Sequence, residues 1–176
     1  GPKVRYMREV CGIDVVAPPM HRFGWSFRDH VRSIETELEA DAQLEFIVGS
    51  SLGGFAVAVA ASRLAHRPLK LVLLAPAVGL HLVWAEEWGE DTMDTWQRSG
   101  HISYHHQGVE ENIDLPYALW TGCRDHAEVR LHHASIVIHG VHDDVVPIAN
   151  SVSLVERSTP QARLIQVDDG HRLSRS

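Results

Sequence analysis

Cysteine is scarce in this chain: Cys11 and Cys123 are the two in 176 residues. Two cannot build a disulfide framework, and they read as thiols of a reducing compartment. Basic residues are also few. Sixteen Lys+Arg stand against 23 Asp+Glu, a formal net charge of −7. With no cluster of Lys or Arg, the basic face of a nucleic-acid binder is missing, and an acidic chain is repelled by anionic lipid. Long hydrophobic runs are lacking too. The longest, Leu52 to Ala61, is about half of what a bilayer span requires. No charged stretch followed by an apolar one opens the chain, so no secretory signal is visible. Internal repeats, low-complexity tracts and long linkers do not occur. These absences give the expectation of a cytoplasmic protein with no nucleic-acid and no membrane partner.

What is present describes a folded domain. Hydrophobic residues make up 44% and charged residues 22%, too apolar for a disordered chain and sized for one domain. Short β-branched apolar runs bounded by Gly, Pro or Asp alternate with longer stretches of helical spacing. The strand-like runs are Gly12–Ala17, Leu44–Val48, Leu69–Ala75, Ser135–His139 and Arg163–Val167. They are nearly continuous in apolar residues, the pattern of strands buried on both faces of a parallel sheet. The helical candidates are Val4–Val10, Ser26–Ala40, Gly53–His66 and Pro147–Ser158, with Ser26 or Asp29 as cap of the second. This alternation predicts βαβ units and a doubly wound, mostly parallel α/β fold. From Gly79 to about His133 the rhythm breaks and no strand is evident. Four of the five tryptophans, Trp84, Trp88, Trp96 and Trp120, fall there. The segment reads as a helical cap over the carboxyl ends of the strands.

Gly49-Ser50-Ser51-Leu52-Gly53, followed by Gly54, is a G-x-S-x-G pattern between an apolar strand and an Ala-rich helix. A sharp strand-to-helix turn of small residues would push Ser51 out at the top of the sheet, with the amide of Leu52 facing any oxyanion formed there. A serine hydroxyl needs a base and an orienting acid. Past the cap, the strand 135–139 runs into Gly140-Val141-His142-Asp143-Asp144 and then Val-Val-Pro147. Asp143 stands where an orienting carboxylate belongs, while Asp144 is closer to the next helix start. The strand 163–167 runs into Asp168-Asp169-Gly170-His171. The order Ser51, Asp143, His171 is the chain order of α/β-hydrolases.

With these motifs in place the chain resembles the α/β-hydrolase superfamily, in its compact YqiA/YcfP-like esterase branch, over most of its length. Val48-Gly-Ser-Ser-Leu-Gly-Gly54 is similar to that branch's elbow, and Leu74-Ala-Pro-Ala77 to the strand end after it. Trp84-Ala-Glu-Glu-Trp88 and Trp96-Gln-Arg-Ser-Gly100 resemble its cap. His139-Gly-Val-His-Asp143-Asp-Val-Val-Pro147 resembles its acid loop, and Asp168-Asp-Gly-His171 its histidine loop. The resemblance implies one α/β-hydrolase domain over residues 1–176 with a cap at about 79–133. It implies a serine hydrolase of carboxylic esters with no cofactor and no metal: Ser51 the nucleophile, Asp143 the acid, His171 the base and the Leu52 amide an oxyanion donor. Trp84 and Trp88 would wall an apolar pocket for short or medium acyl groups, or else form the cap's own small core. The partner is a small-molecule ester, and a homo-oligomer is compatible with it.

The family begins with an apolar strand ending His-Gly-Phe, which lies between the strands read at 12–17 and 44–48 and whose loop supplies a second oxyanion amide. A helix follows its histidine loop. The sequence given starts at Gly1-Pro2-Lys3 and stops five residues past His171, so it is expected to be part of a longer protein. The alternative is a catalytically impaired or non-catalytic binding protein on a hydrolase scaffold. Histidine is abundant, with 13 residues. His105-His106, His132-His133 and the His139/His142/Asp143 group are the rival metal-ligand candidates, none with a recognised zinc spacing.

Overall fold

The computed structural model describes residues 2–106 and 110–174. Four parallel strands form the main sheet in the order β1-β2-β5-β6: β1 Phe46–Ser50, β2 Lys70–Leu74, β5 Ala134–Gly140 and β6 Ala162–Val167. Helix α3 (Leu52–Ser62) connects β1 to β2, and α6 (Ile148–Glu156) connects β5 to β6. Between β2 and β5 lie α4 (Leu80–Ser99), an antiparallel pair of β3 (His101–His106) and β4 (Glu111–Pro116), and α5 (Tyr117–Asp125). The α/β class with a mostly parallel sheet holds, and every expected helix is present to within a few residues.

Two expectations need correction. The run Gly12–Ala17 is not a strand. It leaves α1 (Pro2–Glu9) and runs as irregular chain, tied by Ile13 N–H to the Met7 carbonyl (3.0 Å) and by the Arg8 guanidinium to the Val15 carbonyl (2.6 Å). A strand needs a ladder partner, and here a cavity of about 580 Å³, lined by Val4, Ile13, Val16, Phe46 and Val48 among others, separates the segment from the outer edge of β1. The cap is also not helical throughout: the β3–β4 hairpin interrupts it. Ile102 and Tyr104 face Leu115 and Ile113 across the ladder, an apolar/polar alternation that the interleaved histidines hide.

Packing on the sheet is one-sided among the described residues. Leu71, Leu73 and Val137 are buried beneath α3 and its neighbours, whereas Phe46, Val48, Ile136 and Ile165 are exposed on the opposite face. Helix α3 is apolar all round and buried from Gly54 to Ala61, as a central helix must be. Helix α2 (Phe27–Ala40) packs on it through Phe27, Val31, Ile34 and Leu38. Ser26 caps α2 in a reciprocal pair with Asp29: each side chain takes the other's backbone N–H, the capping-box arrangement.

In the cap, Trp96 is fully buried and its indole N–H donates to the Leu115 carbonyl at 2.9 Å. Its ring meets Trp84, Trp88 and Tyr117. Trp96→Ala is expected to destabilise the protein by about 3–5 kcal/mol, the usual cost of truncating a buried aromatic. Urea unfolding measures it. A loss under about 1 kcal/mol would mean that this cluster contributes little to the fold.

Candidate active site

The elbow follows from close packing of backbone. An added Cβ on Gly49 would lie 2.7 Å from the Gly54 Cα and 2.8 Å from the Gly53 carbonyl oxygen, and one on Gly54 would lie 3.0 Å from the Gly49 carbonyl oxygen. Strand β1 and the first turn of α3 approach so closely only without those side chains. Gly53, the second glycine of the motif, meets nothing within 4 Å. The residues that need to be small are therefore Gly49 and Gly54. Gly49→Ala should cost roughly 1–3 kcal/mol from overpacking. Gly53→Ala should be neutral or add up to about 1 kcal/mol from helix propensity. Thermal unfolding of the two variants tests the contrast, and equal losses would contradict it.

Ser51 occupies the apex with φ 53° and ψ −126°, a positive φ that costs a non-glycine residue energy and is held by its surroundings. Its N–H donates to the Leu74 carbonyl at 2.9 Å, and its carbonyl accepts from Phe55 N–H and Ala77 N–H. These bonds tie the turn to the end of β2. Leu52 is the first residue of α3, so its amide has no partner within the helix. It follows Ser51 directly in the chain, at the positive end of the α3 dipole.

Three loops at the carboxyl ends of β1, β5 and β6 bring the candidates together. The Ser51 Oγ lies 2.9 Å from His171 Nε2, and His171 Nδ1 lies 2.8 Å from Asp143 Oδ2. The other carboxylate oxygen, Oδ1, accepts the N–H groups of Val145 (2.9 Å) and Val146 (2.8 Å). The Asp143 side chain is completely buried. Burial pushes its carboxyl up, but the Val146 amide, His171 and the Val145 amide together overcome that, and it lies below the usual carboxylate range. Those two backbone donors were not visible in the motif, although a turn closing on Val-Val-Pro offers free amides after the acid. Asp144 is exposed on the same turn.

Trp84 and Leu52 both pack against a small cluster of Ala77, Leu80 and Val146, which places Trp84 beside the turn that carries Asp143. Trp88 stacks on Trp84 with ring centres 5.1 Å apart and also meets Trp96 and Tyr104. Both tryptophans are half-buried in the cap's aromatic cluster.

The rival metal candidates do not converge. His105 Nδ1 lies 3.1 Å from Asn112 Oδ1, the His133 ring donates to the Ala61 carbonyl, and exposed His142 pairs with Asp168. The side chain of His106 falls outside the described residues. Among the described residues no group of three His, Cys, Asp or Glu is placed to hold a metal ion. Nor is any helix among them long and apolar enough to cross a membrane.

A parallel sheet with Ser, Asp and His, in that chain order, on loops at the carboxyl ends of its strands has the α/β-hydrolase fold. The structure is similar to a protein of Agrobacterium vitis (TM-score 0.69, 22% identity, covering 85% of this chain and 63% of that one). It is similar to mouse alpha/beta hydrolase domain-containing protein 10 (0.68, 21%, 85% and 63%) and to Est1E of Butyrivibrio proteoclasticus solved with ferulic acid (0.62, 16%, 83% and 61%). The chain thus spans less than two thirds of the length of these structures. No curated protein matches it in sequence. Residues 6–175 match the model of the Uncharacterised protein family (UPF0227), and the chain belongs to that family.

Proposed function

We propose that the protein is a serine hydrolase that cleaves carboxylic esters of short or medium acyl chains through an acyl-enzyme. The observation that carries this is the continuous hydrogen-bonded line from Ser51 Oγ through His171 to Asp143. His171 Nδ1 faces a carboxylate and so carries its proton there, which leaves Nε2 free to accept the Ser51 proton as the hydroxyl attacks the ester carbonyl. Asp143 holds that tautomer and stabilises the imidazolium. The Leu52 amide donates one hydrogen bond to the tetrahedral oxyanion. The imidazolium then protonates the leaving alcohol, and water releases the acid by the reverse path. Trp84, beside the Asp143 turn, forms one wall of the acyl site, with Trp88 behind it. Est1E, similar in fold, is solved with a carboxylic acid bound, the class of product that ester cleavage releases.

The test is intact-mass analysis after treatment with a fluorophosphonate, followed by peptide mapping. One adduct on Ser51 is expected. A folded protein that takes no adduct, or takes it elsewhere, would refute the proposal.

A further inference from the structure

His139 is the penultimate residue of β5 and is completely buried. Its side chain points to the same covered face of the sheet as Ser135 and Val137. Its Nε2 lies 2.9 Å from the Val146 carbonyl oxygen and 3.0 Å from Asp143 Oδ2. Both neighbours are acceptors, so Nε2 carries a proton, and it is aimed at Val146. Nδ1 lies 2.7 Å from the hydroxyl of Ser151, a buried residue of α6, and accepts from it. The chain Ser151 to His139 to Val146 clamps the turn 143–146 from behind. In front, the Val145 and Val146 amides grip Asp143 Oδ1. Oδ2 is thereby set between two imidazoles, His171 at 2.8 Å and His139 at 3.0 Å.

We propose that His139, oriented by Ser151, is a positioning residue that holds the Asp143 turn so that its carboxylate meets His171. The inference rests on the serine-hydrolase reading of Ser51, Asp143 and His171. An apolar residue at 139 could fill the same volume, but it would leave the buried Val146 carbonyl and the Ser151 hydroxyl without these partners. A turn held less firmly presents its carboxylate to His171 less often, and the imidazolium loses stabilisation. The other ionisable groups on the two loops are His142 and Asp144 after β5, and Asp168, Asp169 and Arg172 after β6. His142 and Asp168 pair with each other in solvent at 2.9 Å. From α6 comes the neutral Ser151 hydroxyl, and from α4 and α3 come the apolar Leu80 and Leu52 that pack with Val146.

The experiment measures the second-order rate of fluorophosphonate labelling at Ser51 between about pH 5 and 9, the range in which a catalytic imidazole titrates. It compares wild type with His139→Leu, His139→Gln and Ser151→Ala. In His139→Leu the rate should fall about tenfold, the scale of one buried hydrogen bond, and the acid-limb midpoint should move down. His139→Gln, whose amide can still donate to the Val146 carbonyl, should stay within about threefold of wild type. Ser151→Ala should fall between the two. A folded His139→Leu with an unmoved midpoint overturns the proposal, as does one no worse than His139→Gln. Should the leucine variant fail to fold, Ser151→Ala decides: a wild-type rate and midpoint there overturn it. A wild type that takes no label at Ser51 overturns both this inference and the reading beneath it. A labelled wild type with unmoved profiles overturns this inference alone.

Discussion

Ser51→Ala is expected to lower turnover of a short-chain ester by about 10⁶-fold, the scale seen when the nucleophile of a triad is removed. The size follows from the chemistry. Without the hydroxyl there is no acyl-enzyme, and His171 can at best assist a water molecule that nothing aligns. His171→Ala should cost about the same, because Ser51 Oγ at its ordinary acidity is a poor nucleophile. The double variant should be no worse than either single one, since the two act as a unit. Steady-state hydrolysis of p-nitrophenyl esters from two to eight carbons measures all three. Losses that multiply in the double variant, or a Ser51→Ala protein retaining a tenth of the activity, would place the reaction elsewhere. Stability should hardly change, because the bonds that fix the elbow come from the Ser51 backbone.

Much of this arrangement can be read from residue pattern because each signal has a local cause. Strand β5 appears as the apolar core Ile136-Val-Ile138 running into His139-Gly140, and α2 announces its start through Ser26 and Asp29. Ser51, Asp143 and His171 each follow a strand that is easy to recognise, so the parallel order of those strands is enough to bring them to one end. Where pattern misled, the deciding interaction was remote. Gly12–Ala17 has the composition of a strand, but composition cannot report that no edge stands within reach. The β3–β4 pair alternates correctly, but in a His-rich background with only Ile102, Tyr104, Ile113 and Leu115 as apolar markers. The elbow glycines show the same limit. The motif contains Gly49 and Gly53, yet the crowding is between Gly49 and Gly54, a contact made across the turn. The roles of Trp84 and Trp88 also depend on cap packing, which spacing along one helix cannot supply.

Asp143→Asn provides the second large effect, and its cause is a question of donors and acceptors. Oδ1 of Asp143 receives two backbone N–H groups, from Val145 and Val146. An asparagine must place its carbonyl oxygen there, because its NH₂ has nothing to offer two donors. The NH₂ then faces His171 Nδ1, which has to accept. The imidazole proton moves to Nε2, the atom that should take the proton from Ser51, and the base is blocked by its own hydrogen. Turnover should drop about 10⁴-fold with the geometry intact, as a wrong-tautomer substitution does in serine proteases. Asp143→Ala offers a control: it removes the acceptor without imposing the opposite tautomer, and it should be less impaired than Asn in labelling by fluorophosphonate. The carboxylate also leaves a mark on stability. Its folded pKa is depressed, so its contribution is present above the ordinary carboxylate range and is lost as pH falls through the depressed value. The stability gap between wild type and Asp143→Asn should therefore be widest near neutral pH and close on acidification, as followed by urea unfolding at several pH values. A gap independent of pH, together with full activity in the asparagine variant, would mean that Asp143 braces the turn without serving as the orienting acid.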